Sequence, residues 1–168
     1  LAEERFRRAL QINARDTDSM QNLGWFLCQH QRYAEAEALF KQLVAALGPR
    51  DPARALLAQG VCQARAGQWA EAEATLLRSY ELDPANPTTA VNLAEVHYRR
   101  GDFERARVHM RRINAMPAVM NAQTLWLAMR IENRLGNRDS VQQLGDQLLG
   151  RFRESREAKS FEKGQFDE

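Results

Sequence analysis

Cys28, Cys62, His30, His97 and His109 carry the most reactive side chains of this chain, and their spacing decides what chemistry is open to them. A transition-metal site draws cysteine, histidine or carboxylate ligands from set intervals. Neither an HExxH nor a CxxC pattern occurs here, and no histidine has a cysteine or carboxylate at a metal-ligand interval. Cys28 and His30 stand two apart in a segment that reads as helix, where such side chains diverge, so they do not make a nucleophile and its base. Every glycine between Gly24 and Gly136 is accounted for by helix packing, a turn between repeats or a helix end, which leaves no glycine-rich phosphate loop. The residues therefore predict no catalytic group, no metal ligand and no cofactor, and a function carried by surface rather than by bond-making.

The elements that carry these residues come from a pattern returning about every 34 residues. Its clearest copy runs from Ala53 to Asn86, with Gly60 at position 8, Gly67 at 15, Trp69 at 17, Ala72 at 20 and Pro84 at 32. Small residues at 8 and 20 let two antiparallel helices approach closely, and the glycine at 15 ends the first helix in a left-handed turn. The proline stops the second helix. From Pro87 the next copy gives Leu93, Ala94, Gly101, Asp102, Phe103, Ala106 and Met110 at 7, 8, 15, 16, 17, 20 and 24. From Thr17 an earlier copy gives Leu23, Gly24, Tyr33, Ala36, Phe40 and Leu43 at 7, 8, 17, 20, 24 and 27, followed by a two-residue insertion around Gly48 to Pro52. A weaker copy counted from Asn121 places Leu127 and Ala128 at 7 and 8, with Gly136 one place late and Ser140 in place of alanine.

These positions resemble the tetratricopeptide repeat, which implies an all-α solenoid: a right-handed superhelix of antiparallel helix pairs, with about four full repeats after a half repeat. The chain reads as one repeat domain over residues 1–168. The second helix of a truncated repeat (1–16) is followed by repeats at 17–52, 53–86 and 87–120, a degenerate repeat at 121–154 and a tail at 155–168. A half repeat leaves a helix face uncovered, so sequence upstream of Leu1 is expected, and a dimer covering that face stays open as does the oligomeric state. In the tail, Phe161 and Phe166 are candidates to cap the last repeat's apolar edge, Phe161 first.

Composition fits this reading: 44% hydrophobic and 27% charged residues, with 24 Lys and Arg against 22 Asp and Glu for a net charge of +2. Charges of both signs alternate along helix faces, so nucleic acid is not an expected partner; the nearest basic cluster is Arg99, Arg100, Arg105, Arg107, Arg111 and Arg112. No apolar run approaches the roughly 20 residues needed to cross a bilayer. Residues Leu1 to Gln11 are too charged for a signal peptide. Cys28 and Cys62 fall on the first helices of adjacent repeats, at positions 12 and 10, and two readings are open for them. One is a disulfide, which would argue for an oxidising compartment such as the periplasm; the other is a pair of small buried thiols.

Stacked repeats of this kind turn their first helices inward, and positions 2, 5, 6, 9, 12 and 13 line a concave groove. That groove is the expected partner-binding site, lined by Gln21, Asn22, Trp25 and Gln29 from the first copy and Leu57, Val61 and Arg65 from the second. The third adds Asn92, Glu95, Tyr98 and Arg99, and the fourth Trp126 and Met129. Aromatics set among aliphatics and amides suit an apolar peptide segment held by a few anchors. Trp25 and Trp126 have a second reading, as fillers between repeats.

The segment from Asn22 to Cys28, the turn from Tyr33 to Glu37, the Gly48 to Pro52 insertion, the paired cysteines and the tail from Ser155 to Phe161 resemble the type IV pilus biogenesis and stability family, the pilotins (PilF/PilW). The resemblance covers essentially the whole chain. It implies a non-enzymatic lipoprotein on the periplasmic face of the Gram-negative outer membrane, which binds the secretin of the type IV pilus and assists its localisation and multimerisation. The membrane would be reached only through an acylated N-terminal cysteine that this sequence does not contain, since Cys28 lies within a repeat helix. Two alternatives stand beside it: a cytosolic tetratricopeptide adaptor, and the substrate-recruiting arm of a larger enzyme.

Overall fold

A computed structural model describes residues 2–49 and 51–166 and, among them, ten α-helices and no strand. They are α1 (Ala2–Ile12), α2 (Thr17–Gln29), α3 (Tyr33–Leu47), α4 (Ala53–Arg65), α5 (Trp69–Leu82), α6 (Pro87–Arg99), α7 (Phe103–Asn114), α8 (Ala122–Arg134), α9 (Arg138–Phe152) and α10 (Arg156–Glu162). Two compact units result, Leu1–Thr89 and Ala90–Glu168.

Helix boundaries follow local chemistry. Asp16, Asp102, Asn137 and Ser155 each cap a helix by accepting an N–H from the residue three positions on, and Asn121 and Thr124 form a reciprocal capping box at α8. The helices α2, α4, α6 and α8 are each 13 residues long and end alike. Gln31, Gly67, Gly101 and Gly136 take φ of 60°, 77°, 82° and 73°. The following residue then donates back five positions, Arg32 to Leu27, Gln68 to Gln63, Asp102 to His97 and Asn137 to Glu132, each at 2.9 Å. This closure satisfies the last carbonyls of the helix.

Gln31 is the one non-glycine among the described residues with positive φ. A β-carbon there costs about 1–2 kcal/mol of backbone strain, and part of any gain from glycine is lost to its freer unfolded chain. Gln31→Gly is therefore expected to stabilise the protein by about 0.5–1 kcal/mol, read as a rise of a few degrees in thermal midpoint.

In the Leu1–Thr89 unit, Met20, Leu23, Leu27, Phe40, Leu43 and Ala55 form the core, with Phe6 and Leu10 of α1 packed against it. The face of α1 is also held by charge. Glu3 accepts from Arg7 and Arg32, at 2.9 and 2.8 Å, and Arg32 also donates to both oxygens of Glu35. Hydrogen bonds from Arg32 hold both carboxyls below the usual glutamate range.

The packing of each pair is set by positions 8 and 24 of its repeat. A β-carbon on Gly24 would meet the Phe40 ring at 3.0 Å, and one on Gly60 would lie 2.6 Å from Leu76 Cγ. Small opposite large is the rule. In the Ala90–Glu168 unit, Ala94 and Met110 occupy the same two positions, both buried. In that unit the rings of His97 and His109 stack at 5.7 Å, and burial is the main cause holding His109 below the ordinary histidine range.

The last helix pair inverts the rule and corrects the register read from sequence. Because Asn121 is the N-cap and α8 begins at Ala122, Gly136 falls at position 15 like its counterparts. Position 8 is then the large, fully buried Met129 and position 24 is Gly145. The space that a large residue fills in the other repeats is taken here by the ring of Phe161 from α10, against which a Gly145 β-carbon would collide.

Candidate binding face

In the Leu1–Thr89 unit, α2 and α4 carry the predicted groove residues. Asn22, Gln29 and Arg65 are exposed, and Gln21, Trp25, Leu57 and Val61 are half-buried. The Arg65 guanidinium lies over the Trp25 ring, 4.9 Å from its centroid. Such a pair contributes about 0.5–1 kcal/mol at an exposed site and presents the indole with a cationic edge. Beside it, Cys28 and Cys62 form a disulfide with their Cα atoms 5.8 Å apart. Each cysteine is three residues from one member of the cation–π pair, so the bond fixes the spacing of Trp25 and Arg65.

In the Ala90–Glu168 unit, α6 presents Asn92, Glu95, Tyr98 and Arg99. Arg99 Nε donates to Glu95 at 2.8 Å, so these two charges are spent on one another. Tyr98 is half-buried, packs against Phe103 at 5.5 Å and lies 4.7 Å beneath the guanidinium of Arg130. Trp126 of α8 is half-buried beneath Phe166 of the tail, their rings stacked at 5.4 Å and 12°. Arg130 Nε donates to the Phe166 carbonyl at 3.1 Å.

Met129 does not belong to this face. It is fully buried among Leu125, Leu148 and Met120, as the shifted register requires. Counting from Ala122 instead moves Trp126 to position 5 and brings Arg130 to position 9, one of the positions expected to line the groove, which the small-residue pattern concealed. Phe166 carried no repeat signal at all. Of the basic cluster, Arg99, Arg105, Arg107 and Arg111 are ion-paired with Glu95, Asp102, Glu104 and Glu132, so the cluster presents far less net positive charge than its arginines alone would. Among the described residues, no group of three or more histidine, cysteine or carboxylate side chains is placed to hold a metal ion.

Two tetratricopeptide-repeat profiles match the sequence, one over residues 1–52 and 27–87 and the other over 63–119. The crystal structure of PilW, a widely conserved type IV pilus biogenesis factor, is 32% identical, with a TM-score of 0.86 over 94% of this chain and 72% of that one. The type IV pilus assembly protein PilF of Pseudomonas aeruginosa is 27% identical over 163 residues, 96% of this chain and 64% of that protein. The chain thus spans a little under two thirds of that relative's length. Cellulose synthase operon protein C of Xanthomonas axonopodis pv. citri is 29% identical over 153 residues, 85% of this chain but 10% of that protein.

Proposed function

As this chain belongs to the tetratricopeptide-repeat family and, through its relation to PilW, to the type IV pilus biogenesis proteins, we propose that it acts as a non-catalytic scaffold, a pilotin that binds the outer-membrane secretin of the pilus and assists its localisation and multimerisation. The observation that carries the reading is the match to PilW along almost the entire chain at 32% identity. In this reading the protein works at the periplasmic face of the Gram-negative outer membrane, held by a lipid anchor on an N-terminal segment outside this sequence. The Cys28–Cys62 bond supports that compartment over a cytosolic adaptor, because the cytosol keeps thiols reduced. The residues assigned to secretin contact are Gln21, Asn22, Trp25, Gln29, Leu57, Val61 and Arg65 within the Leu1–Thr89 unit and, separately, Asn92, Glu95, Tyr98, Arg99 and Trp126 within the Ala90–Glu168 unit. Helices already ordered before binding lower the entropy lost on association.

The test is capture from a Gram-negative cell envelope with the natural full-length protein, followed by mass identification. Secretin is expected among the captured proteins. Trp25→Ala and Tyr98→Ala are each expected to weaken its capture roughly tenfold, since an aromatic anchor carries more than about 1 kcal/mol. Unchanged capture by both variants would remove these faces from the reading. Recovery of soluble cytosolic proteins alone would favour the adaptor.

A further inference from the structure

The tail of the chain shows what the α6–α8 face accepts. Gly164, at φ 66°, closes α10: its N–H donates to the Phe161 carbonyl at 2.9 Å and that of Gln165 to Ser160 at 3.0 Å. This turn reverses the chain and lays Phe166 on Trp126, with its carbonyl accepting from Arg130 and the Arg130 guanidinium resting on Tyr98. Lys163, Gly164 and Gln165 are all exposed, so the tail is held on this face by Phe166.

Each of these contacts is one that a separate peptide would make equally well. Ring stacking on Trp126 needs only an aromatic side chain, and Arg130 needs only a backbone carbonyl beside it. The covalent tether adds proximity and no chemistry. We propose that Tyr98, Trp126 and Arg130 form a subsite for an aromatic residue of a bound partner peptide, and that Phe166 occupies it as a tethered competitor which the partner displaces. The proposal deepens the partner-binding reading above and rests on it, adding the chemistry of one anchor.

The test uses the whole chain, labelled with nitrogen-15, and the indole N–H signal of Trp126, identified by its loss in Trp126→Phe. Phe166→Ala is expected to move that signal. The peptide acetyl-Gly-Gln-Phe-Asp-amide, added to Phe166→Ala, is expected to move it back. The same peptide should bind the parent chain about tenfold more weakly, because a short tether presents Phe166 at an effective concentration in the millimolar range. Replacing the peptide's phenylalanine by alanine, or adding Arg130→Gln to the protein, should weaken binding, while Phe166→Trp should restore the competition. The proposal is overturned if the Trp126 signal is the same with and without Phe166, if both proteins bind the peptide equally, or if binding ignores the peptide's aromatic ring. The remaining amide signals report whether each variant keeps its fold. Because the probe is not secretin, failure to capture secretin leaves this outcome standing, and failure of the subsite leaves the secretin result standing.

Discussion

Breaking the Cys28–Cys62 bond is expected to cost roughly 3–4 kcal/mol, the chain-entropy value for a closed loop of this size, the cysteines being 34 residues apart. For a chain of this length that corresponds to a fall of roughly 10 °C in thermal midpoint. The cleanest variant is the double replacement Cys28→Ala and Cys62→Ala. Both cysteines are buried in the core of their unit, so serine would add the separate penalty of an unsatisfied buried hydroxyl. Melting the parent chain with and without reductant, beside the double alanine variant, checks the value. Equal midpoints in all three would mean that the tether contributes nothing. Because the bond joins α2 to α4 next to Trp25 and Arg65, reduction is also expected to loosen that pair, read as a change in tryptophan fluorescence before the main unfolding transition.

The helix pairs were legible in the sequence because backbone geometry dictates residue type at few but fixed places. A helix that ends in a left-handed turn favours glycine, and two helices in close approach need a small residue on one side. Gly60, Gly67, Ala72, Gly101 and Ala106 announce both requirements. The fourth pair hid its register because packing constrains a sum of volumes rather than either residue alone. Here position 8 is the buried Met129 and position 24 is Gly145, whose space the Phe161 ring fills, so a small residue sought at position 8 is found at Ala128, one place early. That one-place shift puts Met129 among the expected groove positions and leaves Arg130 out of them.

The contacts of the candidate binding face were the least legible. Arg65 over Trp25 and Arg130 over Tyr98 join residues of neighbouring repeats, and nothing in the spacing of either member announces the other. The aromatic positions stood out because large apolar side chains on a solvent-facing stripe are conspicuous. Their arginine partners did not, since arginine is the ordinary residue of an exposed helix face. Phe166 lies farther still from any periodic signal: the turn at Gly164 and the contacts with Trp126, Arg130 and Phe161 set where its ring arrives.

The exchange of sizes in the last pair leads to a second large effect. Phe161→Ala is expected to cost roughly 3 kcal/mol, toward the low end for a phenylalanine because the ring is only partly buried. The loss should fall first on α10, seven residues that cannot persist without tertiary contacts, so its amides are expected to lose hydrogen-exchange protection while α8 keeps its own. Gly145 supplies the complementary variant. In the parent chain, Gly145→Ala drives a methyl into the Phe161 ring and is expected to destabilise by about 1–3 kcal/mol, outweighing the roughly 1 kcal/mol that alanine gains over glycine within a helix. With Phe161→Ala in place the collision is gone and only the helix gain remains, so the same substitution is expected to stabilise. A change of sign between the two backgrounds, measured by denaturant unfolding, is the signature of a ring seated on Gly145; additive effects would mean that α10 packs elsewhere. Since the same helix delivers Phe166 to Trp126, Phe161→Ala should also release the tail from Trp126, which ties the stability of the last repeat to the accessibility of the proposed aromatic subsite.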